Sequence, residues 1–116
     1  MTITRIDPGK RLSGAVKHNN TLYIAGMTAT TDTGSVEVQT KEVLAKIDDL
    51  LAKGGSSKAK LLSLNVYLNN IADFAEMNKA YDAWLDTANP PTRATVETRL
   101  ANPNLRVEIT AIAAVD

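Results

Sequence analysis

Residues 90–115 contain two runs of alternating polar and apolar side chains, separated by Asn102-Pro103-Asn104. The first run places Ala94, Val96 and Thr98 on one face and Arg93, Thr95 and Glu97 on the other. In the second run, one face carries Leu105, Val107, Ile109 and Ala111. Alternation with period two over this length predicts two half-buried β-strands. Asn and Pro favour turns, so the two strands are predicted to form an antiparallel hairpin.

The apolar faces of this predicted hairpin agree when Val96 pairs with Leu105. A shift of one residue would expose the apolar side chains, so the parity of the register is constrained, whereas a shift of two residues leaves the exact partner open. In this register Arg93 lies opposite Glu108, with their side chains leaving the backbone about 5 Å apart. Two interpretations remain open. The pair is either a cross-strand ion pair on a solvated face, or a carboxylate-binding arginine beside an acid–base glutamate on a face that another surface closes.

Further strands are predicted in the first two-thirds of the chain. Residues 2–7 alternate and predict a short edge strand. Residues 13–26 predict a hairpin whose turn is formed by residues 18–20, because Asn tolerates a positive φ angle. Residues 60–69 also alternate and predict a central strand. Its apolar face is expected to carry Leu62, Leu64, Val66 and Leu68.

Two helices are predicted between these strands. Apolar residues recur at helical spacing from Val36 onward, with Ser35 as the expected N-cap and Gly54-Gly55 as the expected end. A second helix is predicted to begin within residues 70–73 and to end before residues 89–91, where proline cannot continue a helix. Its stripe of expected core residues consists of Phe74, Met77, Tyr81, Trp84 and Leu85.

This order of elements predicts one α+β domain over residues 1–116, in which two helices pack on one face of a mixed sheet. The opposite face is expected to carry Ser63, Asn65, Tyr67, Arg93, Thr95, Glu97, Arg106, Glu108, Thr110 and Ile112. That set is too polar for a second core and too aliphatic for a plain solvent surface. We therefore expect this face to pack against copies of itself in a homo-oligomer.

Composition restricts the classes of function. The 116 residues include thirteen Lys and Arg, thirteen Asp and Glu, and no Cys. Balanced charge offers no field that would attract nucleic acid or anionic lipid, and without cysteine there is no disulfide or thiolate chemistry. No segment approaches the ~20 apolar residues that span a bilayer, and the first residues lack the apolar core of a secretion signal. The expectation is a soluble cytoplasmic protein.

The C-terminal runs also resemble a known family motif. Residues 91–96, Pro-Thr-Arg-Ala-Thr-Val, followed by residues 107–109, Val-Glu-Ile, are similar to the C-terminal motif of the RidA family, also called YjgF or L-PSP. Residues 25–27, Ala-Gly-Met, lie where the family has Ser-Gly-Gln. Residues 73–81 resemble the family's second helix, with its Asn and Tyr. The likeness extends over nearly the whole chain and is greatest to the shorter YoaB-type branch.

The resemblance implies a chorismate-mutase-like α+β fold and a homotrimer with sites in the clefts between subunits. The implied activity is hydrolysis of reactive 2-imino or enamine acids, such as 2-iminopropanoate and 2-iminobutanoate, to 2-oxo acids and ammonia. In the family, these intermediates are released by pyridoxal-phosphate enzymes. The resemblance implies no metal or organic cofactor and a small 2-imino or 2-oxo carboxylic acid as the ligand.

The resemblance also implies roles for particular residues. Arg93 would bind the substrate carboxylate with its planar guanidinium, and Glu108 would orient or activate the attacking water. Backbone groups near Gly26 and Thr95 would contact the imine and the water. The remaining residues of the predicted substrate-binding set are Ala25, Asn78 and Ser13; the last lies in the region where the family has a tyrosine.

Two other functions remain open. A non-catalytic trimer that binds small carboxylates would keep Arg93 for capture, and the Ala25-Gly26-Met27 run, which lacks the family's hydroxyl and amide, favours it. A ribonuclease or translation inhibitor is the third possibility, since those labels are attached to the family. Zero net charge, the lack of a basic cluster and the lack of an aromatic stacking platform argue against it.

Overall fold

Two helices cover one face of a six-stranded mixed sheet in the computed structural model, which describes residues 2–116. The strands are β1 (Ile3–Pro8), β2 (Ser13–His18), β3 (Thr21–Met27), β4 (Leu61–Leu68), β5 (Thr92–Glu97) and β6 (Val107–Ala114). The helices are α1 (Val36–Lys53) and α2 (Phe74–Trp84). The strand order is β1-β2-β3-β6-β4-β5, antiparallel throughout except for the parallel pair β4–β5. No helix within residues 2–116 is long and apolar enough to cross a membrane.

The ends of α1 lie where the sequence predicts them. The Ser35 hydroxyl accepts a hydrogen bond from the Val38 N–H at 3.2 Å, which satisfies one of the free donors of the first turn. The Gly54 N–H donates to the Leu50 carbonyl at 3.0 Å and closes the last turn. The predicted turn between β2 and β3 is also confirmed, and Asn19 has a φ angle of 56° there.

A 3₁₀ turn, Ile71–Asp73, leads into α2. The Asn70 side chain accepts a hydrogen bond from the Ala72 N–H at 2.9 Å and thereby caps this turn. On the predicted apolar stripe of α2, Met77 and Tyr81 are buried. Phe74, by contrast, is 42% exposed, so its prediction as a core residue is wrong.

The core lies between the helices and the sheet, and the polar side chains of Gln39 and Thr40 are buried with it. Fully buried apolar residues come from both helices and from the central strands, among them Leu22, Leu44, Ile47, Leu64, Val66, Met77 and Ile109. The Gln39 amide is fully buried and accepts from the Arg106 N–H at 2.9 Å. It also donates to the carbonyls of Gly34 and Asn104, each at 3.2 Å. These bonds attach the loop before β6 to α1 and leave the buried amide satisfied.

The predicted hairpin of β5 and β6 is wrong, because β4 lies between the two strands. β5 pairs in parallel with β4, whereas β6 pairs with both β3 and β4, so Val96 has Tyr67 rather than Leu105 beside it. β6 alternates fully buried residues along its whole length, which suits a central strand with two neighbours. The predicted turn at residues 102–104 does exist, with the Asn102 side chain accepting from the Asn104 N–H at 2.9 Å. It belongs to a longer connection that crosses the end of β4.

The two faces of β5 are also the reverse of the prediction. Arg93 and Thr95 lie next to the core residues Leu64 and Val66 of β4 and are half-buried on the helix side. Val96 points to the open face and is 46% exposed. Alternation with period two defines the two faces of a strand but does not show which face is buried. The aliphatic part of an arginine side chain can pack inward when its guanidinium contacts an aromatic ring.

The predicted inward position of Leu62, at the start of β4, is also wrong. Leu62, expected on the apolar face, is exposed, and its neighbour Leu61 is buried instead. The register between β4 and β6 shifts between Leu61 and Ser63. An extra residue at a β-bulge inverts the alternation before it, which explains why only the preceding residue is misassigned.

The face of the sheet without helices is called the open face. By register it carries a polar and aliphatic set that includes Ser63, Asn65, Tyr67, Glu108, Thr110 and Ile112, as predicted. Arg93, Thr95 and Glu97 were predicted there but lie on the helix side. Ala94 and Val96 take their places on the open face, which is therefore more apolar at β5 than the sequence suggested.

Candidate functional site

Arg93 lies on the helix side of β5, against one face of α2. Its Nη1 donates a hydrogen bond to the Asn78 side-chain oxygen at 2.7 Å. The guanidinium carbon lies 4.6 Å from the ring centre of Tyr81 and 5.6 Å from that of Phe74. Residues at positions i, i+4 and i+7 of a helix share one face, so α2 places the amide between the two rings. The guanidinium is therefore held by a hydrogen bond and two cation–π contacts.

The charge of this guanidinium is not neutralised within the chain. Among residues 2–116, no carboxylate lies within 4.0 Å of Arg93. An arginine stays protonated at all relevant pH values and presents five N–H donors in a planar fork. The bond to Asn78 uses one of them, and an amide oxygen fixes the orientation of the fork without cancelling its charge. Such a group can hold a carboxylate through two parallel hydrogen bonds.

Tyr81 and Thr95 provide hydroxyl groups near Arg93. Burial raises the pKa of the Tyr81 hydroxyl, an effect that the positive charge of Arg93 partly offsets, so the phenol is neutral at pH 7. Thr95 follows Arg93 by two residues and lies on the same side of β5. Its hydroxyl oxygen is buried and makes no hydrogen bond to any other described residue. Buried hydroxyls are usually paired, so this oxygen has hydrogen-bonding capacity to spare.

Glu108 lies on the open face, beside the end of β3. The register between β3 and β6 shifts between Ile24 and Met27, and this irregularity brings Gly26 against the Glu108 side chain. A Cβ atom at Gly26 would lie 2.9 Å from the Glu108 carboxyl carbon and would collide with its Oε2 atom. Glycine is thus what allows the carboxylate to lie against the backbone of β3.

The structure brings some of the predicted site residues together and separates others. Arg93 and Asn78 are in direct contact, with Thr95 on the same side of β5. Gly26 and Glu108 form a second group, with Ala25 half-buried beside them and Ser13 at the start of the neighbouring strand β2.

The two groups do not meet within one chain. β4 separates the strands that carry Arg93 and Glu108, so the axes of these two strands are about 10 Å apart at the usual strand spacing. The two side chains also leave opposite faces of the sheet. The predicted side-by-side pair is wrong for the single chain, because it depended on the β5–β6 hairpin.

Comparison with known proteins assigns the chain to a family. A sequence profile described as Endoribonuclease L-PSP matches residues 2–115. A RutC family protein of Haemophilus influenzae is 49% identical, over 97% of this chain and 98% of its own length. The RutC family protein YoaB of Escherichia coli K12 is 47% identical, over 99% of this chain and all of its own length. The chain belongs to the RidA/YjgF/L-PSP family.

Solved structures support the same assignment. The crystal structure of NMB1025, a YjgF family member from Neisseria meningitidis, has a TM-score of 0.97 with 40% sequence identity. The match covers all of this chain and 97% of that one. The structure of yeast Mmf1 has a TM-score of 0.91 at 26% identity, over 99% of this chain and 100% of its own. The predicted RidA-type α+β fold, with two helices on one face of a mixed sheet, is confirmed.

The sequence did contain a signal for two contact residues that the prediction missed. Phe74 and Tyr81 were both assigned to the core, although their spacing from Asn78 places all three on one face of α2. Because Asn78 was already a predicted site residue of this RidA-family chain, its helical neighbours belonged to the same candidate site.

Two cavities lie away from both groups. One, of about 490 Å³, is lined by Gly14, Met27 and Leu50 with charged side chains at its rim, between α1 and the first three strands. The other, of about 460 Å³, is polar and is lined by Asp73 and Arg106 among others, where β4 ends and β6 begins. Neither is lined by Arg93 or by Glu108, so neither coincides with the candidate site.

Proposed function

We propose that this chain is an imine hydrolase that converts reactive 2-imino or enamine acids to 2-oxo acids and ammonia in the cytoplasm. Each site would be shared by two subunits of a homotrimer. The observation that carries the proposal is the Arg93 guanidinium, which Asn78 and Tyr81 orient and which no carboxylate of the described chain neutralises. Membership of the RidA family makes an imine acid the best candidate for the missing carboxylate.

The separation of Arg93 from Glu108 supports a site shared between subunits. One chain provides the carboxylate-binding group at the β5 edge, and its own Glu108 is on the other face of the sheet. In the proposed trimer a neighbouring subunit supplies Glu108 and Gly26, with Ala25 and Ser13 in the wall around them. Exposed apolar residues on the open face, such as Tyr23 and Val96, provide the surface that such a contact would bury.

The proposed reaction proceeds in two steps. Arg93 holds the substrate carboxylate, and Glu108 accepts a proton from a water molecule as the water oxygen bonds to C2 of the C=N group. Glu108 then returns this proton to the imine nitrogen, which regenerates the Glu108 carboxylate and gives a tetrahedral carbinolamine with a neutral amino group. The C–N bond then breaks, the hydroxyl proton is passed to nitrogen, and ammonia and the 2-oxo acid leave. Backbone groups near Gly26 and Thr95 contact the nitrogen and the water.

A non-catalytic carboxylate-binding trimer is the second candidate, and two observations favour it. The Arg93 group is complete within one chain and can hold a carboxylate without Glu108. The wall at Ala25 and Met27 also lacks the hydroxyl and the amide of the family pattern. The RNase activity named in the family description has less support, because the sequence has no net charge with which to bind a phosphate backbone.

The test is the rate of ammonia or pyruvate release from 2-iminopropanoate generated in situ. The wild type should exceed the uncatalysed rate, Arg93→Ala should fall by at least about 10²-fold, and Glu108→Ala by about 10²–10⁴-fold. Arg106→Ala is the matched control, since this arginine makes only a 3.8 Å surface ion pair with Asp73. If all variants match the uncatalysed rate while remaining folded, the enzyme proposal fails. Binding of small carboxylates would then test the second candidate.

A further inference from the structure

An open groove of about 270 Å³ lies between α1 and α2. We call it the helix groove, and it is lined by Lys41, Leu44, Lys58, Ala80, Ala83 and Trp84. The α2 residues in this set recur at helical spacing and therefore share one face of the helix. Two of them are alanines, whose small side chains leave the space open. The buried side chains of Leu44 and Ala80 form the floor of the groove.

The Trp84 ring is held in one orientation at the wall of the helix groove. Its indole N–H donates a hydrogen bond to the Asp48 carboxylate at 2.9 Å. The ring centre lies 6.2 Å from that of Tyr81, with 45° between the two ring planes. The Lys58 Nζ lies 5.1 Å from the same ring centre. These contacts fix a flat apolar surface against which a second ring can pack.

The helix groove has an excess of positive charge. Two lysines line it, and no carboxylate of the described chain does. Lys58 lies 3.8 Å from Asp48, whose carboxylate already accepts the indole N–H. Lys41 lies 3.2 Å from Glu37, and the same carboxylate lies 3.7 Å from Lys79. These pairs join three lysines to two carboxylates and therefore leave one positive charge in excess.

We propose that the helix groove is a second ligand site, which binds a small carboxylate with an aromatic body. The ligand carboxylate accepts a hydrogen bond from the Lys58 ammonium, and the ring packs against Trp84 and Leu44. A ligand ammonium would instead face two lysines, and a neutral ligand would gain no ionic contact. The volume is just below the ~300–1,000 Å³ of most small-molecule pockets, which restricts the aromatic body to a single ring.

The helix groove and the Arg93 guanidinium contact different faces of α2. Asn78 and Tyr81 contact Arg93, whereas Ala80 and Ala83 face the groove. The groove is therefore a site in addition to the proposed imine site, and its ligand does not depend on the proposed reaction. Because a carboxylate can also bind Arg93, the experiment has to separate the two sites.

The test uses the fluorescence of Trp84, the only tryptophan of the chain, in titrations with phenylacetate and with the neutral phenylacetamide. Phenylacetate should bind at least about tenfold more tightly, because only the anion gains a charge-assisted hydrogen bond to Lys58. Lys58→Gln should remove this difference, and Ala83→Leu should weaken the binding of both compounds by filling the groove. Lys53→Gln is the matched control, since Lys53 forms its ion pairs outside the groove.

Amide NMR shifts locate the bound phenylacetate. The resonances of Ala80 and Ala83 should move in the wild type and in Arg93→Ala alike. Equal affinities for the two compounds, or an unchanged Kd in both Lys58→Gln and Ala83→Leu, would overturn the inference. So would the absence of saturable binding, or shifts that surround Asn78 and disappear in Arg93→Ala. If the wild type hydrolyses no imine but binds phenylacetate in the groove, the proposed function fails and this inference stands.

Discussion

Arg93 and Glu108 lie on opposite faces of one sheet, with strand β4 between their strands. Arg93 packs against α2, and Glu108 lies against Gly26 at the end of β3. Neither side chain can reach the other through the sheet. A reaction that needs both groups therefore needs two chains.

The first prediction concerns the neutral acceptor that orients Arg93. Asn78→Asp would place a carboxylate 2.7 Å from Nη1 and form an internal ion pair in the place of the substrate. We expect KM and the Kd for pyruvate to rise at least about tenfold, and more than in Asn78→Ala, which removes the acceptor without adding charge. Asn20→Asp, in the β2–β3 turn, should leave both constants unchanged. Wild-type binding by Asn78→Asp would contradict the role of Arg93.

The second prediction concerns the glycine beside Glu108. In Gly26→Ala the new methyl group must displace the carboxylate, whose carbon would otherwise lie 2.9 Å away. The side chain can rotate, so unfolding free energy should change by no more than about 1 kcal/mol, while kcat falls nearly as far as in Glu108→Ala. The double variant should be no slower than Glu108→Ala alone, because both changes remove the same group. Multiplicative losses would show that Gly26 acts independently. Gly9→Ala, whose methyl group would meet nothing closer than 3.4 Å, is the control.

Local sequence signals predicted the parts of this fold that depend on neighbouring residues. Ser35 caps α1 through a bond to the backbone three positions away, and Asn19 takes a positive φ angle that asparagine itself tolerates. The resemblance to the RidA motif correctly identified the fold, since it describes the whole family. It also named Asn78 as a candidate site residue, and the Asn78 side chain accepts a hydrogen bond from Arg93.

The prediction failed where the outcome depended on distant residues. The sequence of the β5–β6 connection does not indicate that β4 lies between the two strands. β4 precedes both in the chain, and its pairing with them depends on non-local contacts. The inward face of β5 was misassigned for a related reason. The Arg93 guanidinium packs on the ring of Tyr81 on the helix side of the sheet. The alternation of residues within β5 carries no information about this contact with α2. The Leu61–Leu62 inversion depends on a bulge against β6.

The third prediction concerns the open face. Val96 is 46% exposed on this face, and Val38 is 54% exposed on the opposite side of the molecule, so the two residues form a matched pair. If the open face packs against other copies, Val96→Lys would bury a charge at the interface and should dissociate the assembly. Val38→Lys should leave the trimer intact. Light scattering coupled to size exclusion measures both, and an unchanged trimer in Val96→Lys would exclude that residue from the interface.

The fourth prediction concerns the loop before α1. The backbone N–H groups of Thr30 and Thr31 donate to the Glu42 carboxylate and lower its pKa below the usual 4.5. Because the pKa of Glu42 is lower in the folded state, the ionised carboxylate stabilises the folded protein fully above about pH 4.5. This stabilisation is lost as the pH falls through the pKa of Glu42 in the folded protein. The Tm difference between wild type and Glu42→Gln should therefore be largest near neutral pH and shrink toward pH 3. A constant difference over that range would contradict the assignment.

Complementation between inactive subunits tests whether the site is shared. Arg93→Ala and Glu108→Ala chains, each with a different tag, are refolded together in equal amounts, and mixed trimers are isolated and assayed with 2-iminopropanoate. In each mixed trimer an intact Arg93 faces an intact Glu108 at one interface in three, so about a third of wild-type activity should return although neither parent is active. Mixing Arg93→Ala with the double variant should restore nothing. Mixed trimers that remain as inactive as their parents would show that the two residues do not form one site across a subunit boundary.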